Sequence, residues 1–416
     1  MKTIYKNFRV ADEQKDFLAN VTVENGIIKS LSTCDVSDDA DCIYDGHNKL
    51  VLTAGFVDMH AHFRDPGFSE KEVLESSALA AFRGGYTTVC CMANTKPVID
   101  NIEAAEQIKK RCDILKSIDL YPVLSLTKGM NGIELIHLLS TAPSAIDTNT
   151  LMHTVRLLSE DGKDIHDDAL FKTAFLSSAS LGIPVSCHCD VGGEDAAVKR
   201  AIEIAHNTQC HLHIAHVSTA QALQYIESAK KTAASPTFVG MSQIKNFKLT
   251  CEATPHHIAL CEKDAERLGK ETFGKVAPPL RTEADRSAII LGLKNGSIDA
   301  IATDHAPHTS ADKEAGSPGF SGIETAFAVC HTVLVKQHKM PLQKLFSLMS
   351  ANPSRILGFN DRGLIEKNYR ADITLIDLES NFICRKEQLV SRGKNCPYDG
   401  MELTGAVWNT SSSLTP

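Results

Sequence analysis

The 416-residue sequence contains no cluster of Lys and Arg, and its formal net charge at pH 7 is −8. Nucleic-acid binders draw most of their affinity from a basic face, so that class of partner is excluded. The first residues, Met1-Lys2-Thr3-Ile4-Tyr5-Lys6-Asn7, hold no apolar h-region, and no run approaches the length of a membrane span. A cytoplasmic protein with no membrane partner is expected. Cysteine is not scarce, but the 13 cysteines form no C-x-x-C pair. In a reducing compartment such residues serve as small buried hydrophobes, and none is obviously poised as a nucleophile. A Gly-x-Ser-x-Gly elbow, a phosphate loop and a Gly-x-Gly-x-x-Gly turn after the first buried strand are all missing. Their absence argues against a serine hydrolase, a P-loop protein and a dinucleotide fold.

Hydrophobic residues make up 43% of the chain and charged residues 23%, ordinary values for a globular protein with one large core and a small appended domain. The two ends share a texture. Short alternating segments with polar turns, at 19–23 and 26–29, return at 361–365 and 371–377. Residues 1–52 and 358–416 are therefore expected to build one small β-sandwich. Between them, apolar runs of strand length alternate with helical stretches such as 70–83 and 196–206. Strand candidates centre on 55–58, 87–92, 120–124, 155–159, 183–188, 211–217, 247–254 and 298–304, the fourth being the least marked. Eight βα units over roughly 250 residues predict a TIM (β/α)8 barrel across 53–357, with a doubly wound open sheet as the alternative. Residues 51–57 read as one buried strand leading into it, and the Ser/Thr-rich residues 409–416 are expected to lack order.

In such a barrel, reactive side chains stand at the C-terminal ends of the strands. That rule sorts the 17 histidines. His60 and His62 lie two apart at the end of the first strand, so both imidazoles point to one side, as a divalent metal such as zinc requires. Arg64, two residues on, offers a rigid fork suited to a carboxylate. His188 ends the fifth strand, with Cys187 and Cys189 facing away from it. His216 closes the sixth, whereas His211 and His213 open that strand and are expected to be structural or solvated. Asp304 ends the eighth, where a carboxylate can ligate a metal and move a proton. The fourth unit offers Glu160 and Asp161, and chemistry alone does not choose between them. His256 and His257 are set off from their strand by Pro255 and are expected to open a helix or support ligands from behind. Histidines and carboxylates at the ends of several different strands predict a metal-assisted hydrolase.

Together these residues resemble the amidohydrolase superfamily and, within it, the dihydroorotases of bacterial class I type. Val57-Asp58-Met59-His60-Ala61-His62-Phe63-Arg64-Asp65-Pro66-Gly67 is similar to that family's first-strand signature. Met92-Ala93-Asn94-Thr95-Lys96-Pro97 resembles its second-strand loop, and Ser159-Glu160-Asp161-Gly162 its bridging-aspartate motif. His188, His216-Val217-Ser218-Thr219, Glu252-Ala253-Thr254-Pro255-His256-His257 and Ala302-Thr303-Asp304-His305-Ala306-Pro307-His308 complete a match spread over most of the chain. The resemblance implies that His60, His62, Asp161, His188, His216 and Asp304 hold two zinc ions per subunit, with Asp161 between them. Substrate contacts then fall to Arg64, Asn94, His308 and the Pro318-Gly319 backbone, in a loop long enough to act as a lid. The implied reaction is the reversible interconversion of N-carbamoyl-L-aspartate and (S)-dihydroorotate in pyrimidine biosynthesis, by a cytoplasmic homodimer. Asp304 would pass the proton of the attacking water to the leaving ring nitrogen, while Arg64 with Asn94 holds the carboxylate.

Two positions depart from the family pattern. Ala277, in Lys275-Val276-Ala277-Pro278-Pro279, stands where Asn is common, so a side-chain hydrogen bond to substrate is missing unless the backbone serves. After Gly405 the chain runs out in Trp408-Asn409-Thr410-Ser411, which predicts a sandwich short of its last strand. The rival readings are a hydantoinase or allantoinase, sharing the metal frame but not the need for Arg64, and a silent barrel binding partner subunits in a pyrimidine-pathway assembly.

Overall fold

The computed structural model describes residues 1–189, 192–234 and 247–411. The N-terminal segment supplies β1 (Lys2–Ala11), β2 (Asp16–Glu24), β3 (Ile27–Ser32), β4 (Cys42–Asp45) and β5 (Val51–Ala54). Asn25 and Gly26, both at positive φ, make the two-residue turn between β2 and β3, as an Asn-Gly pair between alternating strands should. The run 51–57 is not one strand. It breaks at Gly55, after which β6 (Phe56–Ala61) leaves the first sheet and pairs elsewhere. A side chain at Gly55 would overlap that of Thr87, so only glycine lets the backbone pass from one sheet to the other.

The middle of the chain is built from parallel strands. β6, β7 (Tyr86–Cys91) and β8 (Asp119–Pro122) form a three-stranded array in that order. β9 (Leu158–Ser159), β10 (Val185–Cys187), β11 (His211–Ile214), β12 (Lys248–Ala253) and β13 (Ala300–Ile301) form a five-stranded one, again in chain order. All the strand candidates are therefore present, several shortened, the fourth to two residues. Isolated parallel bridges join Leu124 to Leu158 and Ala61 to His305, linking the arrays on both sides. Helices fill most of the crossovers, among them Leu74–Arg83, Ile102–Leu115, Asp168–Leu181, Glu194–Thr208 and Glu283–Asn295. Their ends carry local signals: Asn101, Asp167 and Thr282 accept N-terminal N–H groups, and Gly182 and Gly296 close in the left-handed conformation. No helix among the described residues is long and apolar enough to cross a membrane. All 13 cysteines are free and most are buried; Cys187 and Cys189 sit in the main apolar core.

The C-terminal segment adds β14 (Ile373–Ile383) and β15 (Glu402–Ser411), which complete a seven-stranded sheet with β1–β5. β14 pairs with β5 and with β15, so both chain ends share one sheet. β15 carries the chain past Gly405 as far as Ser411, so the first residues of the tail expected to lack order are strand. A ladder is made by main-chain N–H and C=O groups, which Thr and Ser supply as well as any residue. Residues 409–411 of the tail lie in this ladder, and 412–416 lie outside the described residues. Between β14 and β15 the chain makes a long excursion, residues 384–401, back to the loops that follow β13.

Candidate metal centre

Six side chains converge at the C-terminal ends of the parallel strands. His60 is the last residue but one of β6 and His62 follows the strand; Asp161, His188, His216 and Asp304 follow β9, β10, β11 and β13. His60 Nε2 lies 3.1 Å from Asp161 Oδ1 and 3.7 Å from Asp304 Oδ1. His62 Nε2 lies 3.1 Å from Asp304 Oδ1 and 3.7 Å from Asp161 Oδ2. His188 Nε2 is 3.9 Å from Asp161 Oδ1, and the His216 ring centroid is 4.2 Å from that of His188 and 5.2 Å from that of His60. Two groups of ligand atoms result, His60–His62–Asp161 and Asp161–His188–His216, each spanning at most 4.8 Å and sharing Asp161. Of the adjacent carboxylates, Asp161 faces the cluster and Glu160 does not. Glu160 turns away and accepts from Leu126 N, Thr127 N and Thr127 Oγ1. Arg64, His216 and Asp304 have φ of 59°, 29° and 46°, a left-handed conformation that non-glycine residues adopt at a cost of about 1–3 kcal/mol. At these three positions the backbone turns so that the side chain joins the cluster or the cleft.

Metals bind deprotonated ligands, and Asp161, Asp304 and His216 are held in that state. Burial opposes the charge of His60, but Asp161 and Glu252 raise its imidazole well above the ordinary value, so a metal there displaces a proton. Burial opposes the charge of Asp161, but His62, His60 and His188 hold its carboxyl well below the usual range. Asp304 is likewise buried and held low by His62 and His60. Burial, with His188 and His60 alongside, pushes the His216 imidazole well below its ordinary value. Its Nε2 is buried without a hydrogen-bond partner. Ionised carboxylates facing a neutral imidazole with a bare ring nitrogen form a donor set that a divalent metal fits.

The residue behind His60 carries no spacing signal in the sequence. Glu252, fully buried in β12, lies 2.9 Å from His60 Nδ1 and 3.0 Å from His213 Nε2 and accepts a hydrogen bond from each. Burial would raise its carboxyl pKa, yet the two imidazoles pull it down to about 2. The bond to Nδ1 fixes the tautomer of His60 and leaves Nε2 for a metal. The available signal was a glutamate inside an apolar strand, where an unpaired charge would not be tolerated. His213 is structural, as expected, and its Nδ1 lies 2.9 Å from Thr250 Oγ1. Asn94 does for His62 what Glu252 does for His60: its Oδ1 lies 2.9 Å from His62 Nδ1, and its Nδ2 donates to Asp161 Oδ2 at 2.9 Å. His256 and His257 open the short helix Pro255–Ala259, capped by Thr254, and His257 Nε2 donates to Pro278 O at 3.1 Å.

Arg64, Asn94, Ala277, His308, Pro318 and Gly319 all line one cleft of about 270 Å3, together with His62, Asp161, His188 and Asp304. The half-buried Arg64 donates from Nε to Pro307 O at 3.3 Å. His308 Nε2 stands 3.2 Å from Arg64 Nη2 and 2.9 Å from Pro318 O. It accepts from Arg64 in one tautomer and donates to Pro318 in the other. The Gly319 backbone, expected to meet substrate, is engaged within the protein. Its N–H donates to Lys275 O at 3.0 Å, and its carbonyl accepts from Lys313 Nζ at 2.9 Å and Asn395 Nδ2 at 3.0 Å.

Residues 51–407 match the amidohydrolase family. The dihydroorotase of Clostridium botulinum is 35% identical over 422 residues, covering 99% of this chain and 98% of that protein. That of Bacillus subtilis is 33% identical, covering 97% and 95%. Among solved structures, the L-hydantoinase (dihydropyrimidinase) of Arthrobacter aurescens superposes with a TM-score of 0.85 at 23% identity, over 99% of this chain and 94% of that one, a likeness of fold. With its ligand cluster and cleft set beside these relatives, the chain belongs to the amidohydrolase family and, within it, to the bacterial dihydroorotases.

Proposed function

We propose that this chain is a zinc-dependent cyclic amidohydrolase that interconverts N-carbamoyl-L-aspartate and (S)-dihydroorotate. The observation that carries the reading is that His62, Asp161, His188 and Asp304, four of the six converging side chains, line one cleft with the guanidinium of Arg64. His60, His62, Asp161, His188, His216 and Asp304 would hold zinc, two ions per subunit, whose Lewis acidity would make water nucleophilic near neutral pH. The remaining work falls to the chain's own groups. Arg64 presents its fork to the ring carboxylate, with His308 beside it, and so fixes the ring over the cluster. Asp304, ionised and within reach of His62, takes the proton of the attacking water and delivers it to the ring nitrogen as the C–N bond breaks. Ring closure runs the same transfers backwards. Asn94 and Glu252 hold His62, Asp161 and His60 in place, while Ala277, Pro318 and Gly319 form the wall of the cleft.

The three- and five-stranded arrays are read as arcs of one (β/α)8 barrel over residues 53–357, with 1–52 and 358–416 as a composite β-sandwich domain. A cytoplasmic homodimer completes the proposal. It is tested by turnover of dihydroorotate, hydantoin and allantoin side by side. Dihydroorotate should be preferred, and preference for either other ring would overturn the substrate assignment. Arg64→Met should lose about 2–5 kcal/mol of substrate stabilisation, roughly 30- to 5,000-fold in kcat/KM, with bound metal unchanged. Equal turnover of dihydroorotate by that variant would remove Arg64 from the role.

A further inference from the structure

The excursion between β14 and β15 places one buried amide against the substrate side of the cleft. Asn395 Nδ2 donates to Ala306 O and to Gly319 O, both at 3.0 Å. Its Oδ1 accepts the His308 N–H at 3.0 Å, with Ser321 Oγ 2.8 Å away. Both donors and both acceptor directions of the side chain therefore point at the two loops that flank the cleft, 306–308 and 318–321. The excursion itself is tied down. Ser391 Oγ and Arg392 N donate to the buried carboxylate of Glu72, at 2.5 and 3.1 Å. Next to Asn395, a side chain at Gly393 would collide with Pro307 and the backbone of His308. From the opposite side, Lys313 Nζ donates to Lys275 O, Ser317 O and Gly319 O at 2.8, 2.8 and 2.9 Å. The loop after β13 is thus clamped, which argues for a fixed wall and against the moving lid its length suggested.

We propose that Asn395 is a positioning residue for substrate. It sets the spacing between His308 and the Pro318–Gly319 wall, and so the fit of a carboxylate-bearing ring, without touching the ring or a metal ligand. This rests on the reading that Arg64 and His308 meet the substrate carboxylate. A group displaced by about 1 Å from productive geometry costs of the order of 100-fold. Asn395→Ala should therefore raise KM for dihydroorotate and for N-carbamoyl-L-aspartate roughly 10- to 100-fold, with kcat within about threefold. Zinc content should match the parent, and amide exchange in 305–322 should quicken. Asn395→Asp keeps the size and the acceptor for His308 but removes both donors, and should raise KM as alanine does. If either variant fails to fold, Ser321→Ala is expected to show the same split at smaller size. An unchanged KM, or a loss carried in kcat or zinc content, overturns the proposal. Arg64→Met assayed in parallel separates the two readings. If it retains full turnover, the carboxylate assignment falls. If it loses turnover while Asn395→Ala keeps its KM, only the role of Asn395 falls.

Discussion

Replacing Glu252 by Gln should loosen the metal site without emptying it. Glu252 gives one carboxylate oxygen to His60 Nδ1 at 2.9 Å and the other to His213 Nε2 at 3.0 Å. Glutamine has the same shape but one acceptor and one donor, so it can serve only one of these N–H groups. Its amide NH2 then faces the other ring, or drives that ring to the opposite tautomer. If the ring is His60, the proton arrives on Nε2, the atom that faces Asp161 and Asp304, and competes directly with a metal. A hydrogen bond to a charged acceptor is worth about 1.5–3 kcal/mol and a neutral one about 0.5–1.5. The difference, roughly 1–1.5 kcal/mol, corresponds to about tenfold in metal affinity, and loss of the bond altogether to about 100-fold. Competition against a chelator of known affinity measures the zinc dissociation constant, with thermal unfolding as a control for folding. Because the Glu252 carboxyl is held down to about 2, it is ionised throughout the neutral range, and a carboxylate is what the variant removes. Unchanged zinc affinity in Glu252→Gln would refute the argument that this carboxylate sets the His60 tautomer.

Other expectations follow from the opposite end of the parallel strands and from the junction between sheets. Asp119, buried at the start of β8, pairs with Lys109, Arg362 and Arg370 at 2.7, 3.0 and 3.3 Å. Burial opposes its charge, but these cations hold its carboxyl well below the ordinary value. With the folded value below the unfolded one, the unfolded chain takes up more protons in acid. The stabilisation is thus present above about pH 4 and lost as pH falls below it. Asp119→Asn should cost about 3–5 kcal/mol at pH 7 and flatten the loss of stability between about pH 5 and 3; an equal shift in Tm at both ends of that range would contradict this. Gly55→Ala should destabilise by about 1–3 kcal/mol through overlap with Thr87, and Gly55→Ala with Thr87→Ala should regain part of it, both read by denaturant unfolding. No recovery in the double variant would mean that the backbone at residue 55, not the space beside Thr87, is what demands glycine.

The sequence by itself determined the features that depend on local order. Strand positions in the parallel arrays follow from apolar runs, and the shared direction of His60 and His62 follows from the two-residue period of a strand. Arg64, His188, His216 and Asp304 could be singled out because each stands just past the end of such a run. What only the tertiary structure decided are pairings between distant segments. Glu160 and Asp161 are adjacent and chemically alike, and the difference is that Thr127 and Leu126, from the preceding βα unit, take up Glu160. Glu252 is 192 residues from His60, and Asn395 is 87 from His308, so no spacing rule reaches either. The break at Gly55 looks like an uninterrupted apolar run until Thr87 is seen against it. Residues 409–411 look like a polar tail until the edge of β14 is seen beside them. Side-chain alternation is encoded along the chain, whereas the neighbour a side chain or an open edge meets is set by which strands and loops lie next to one another once folded.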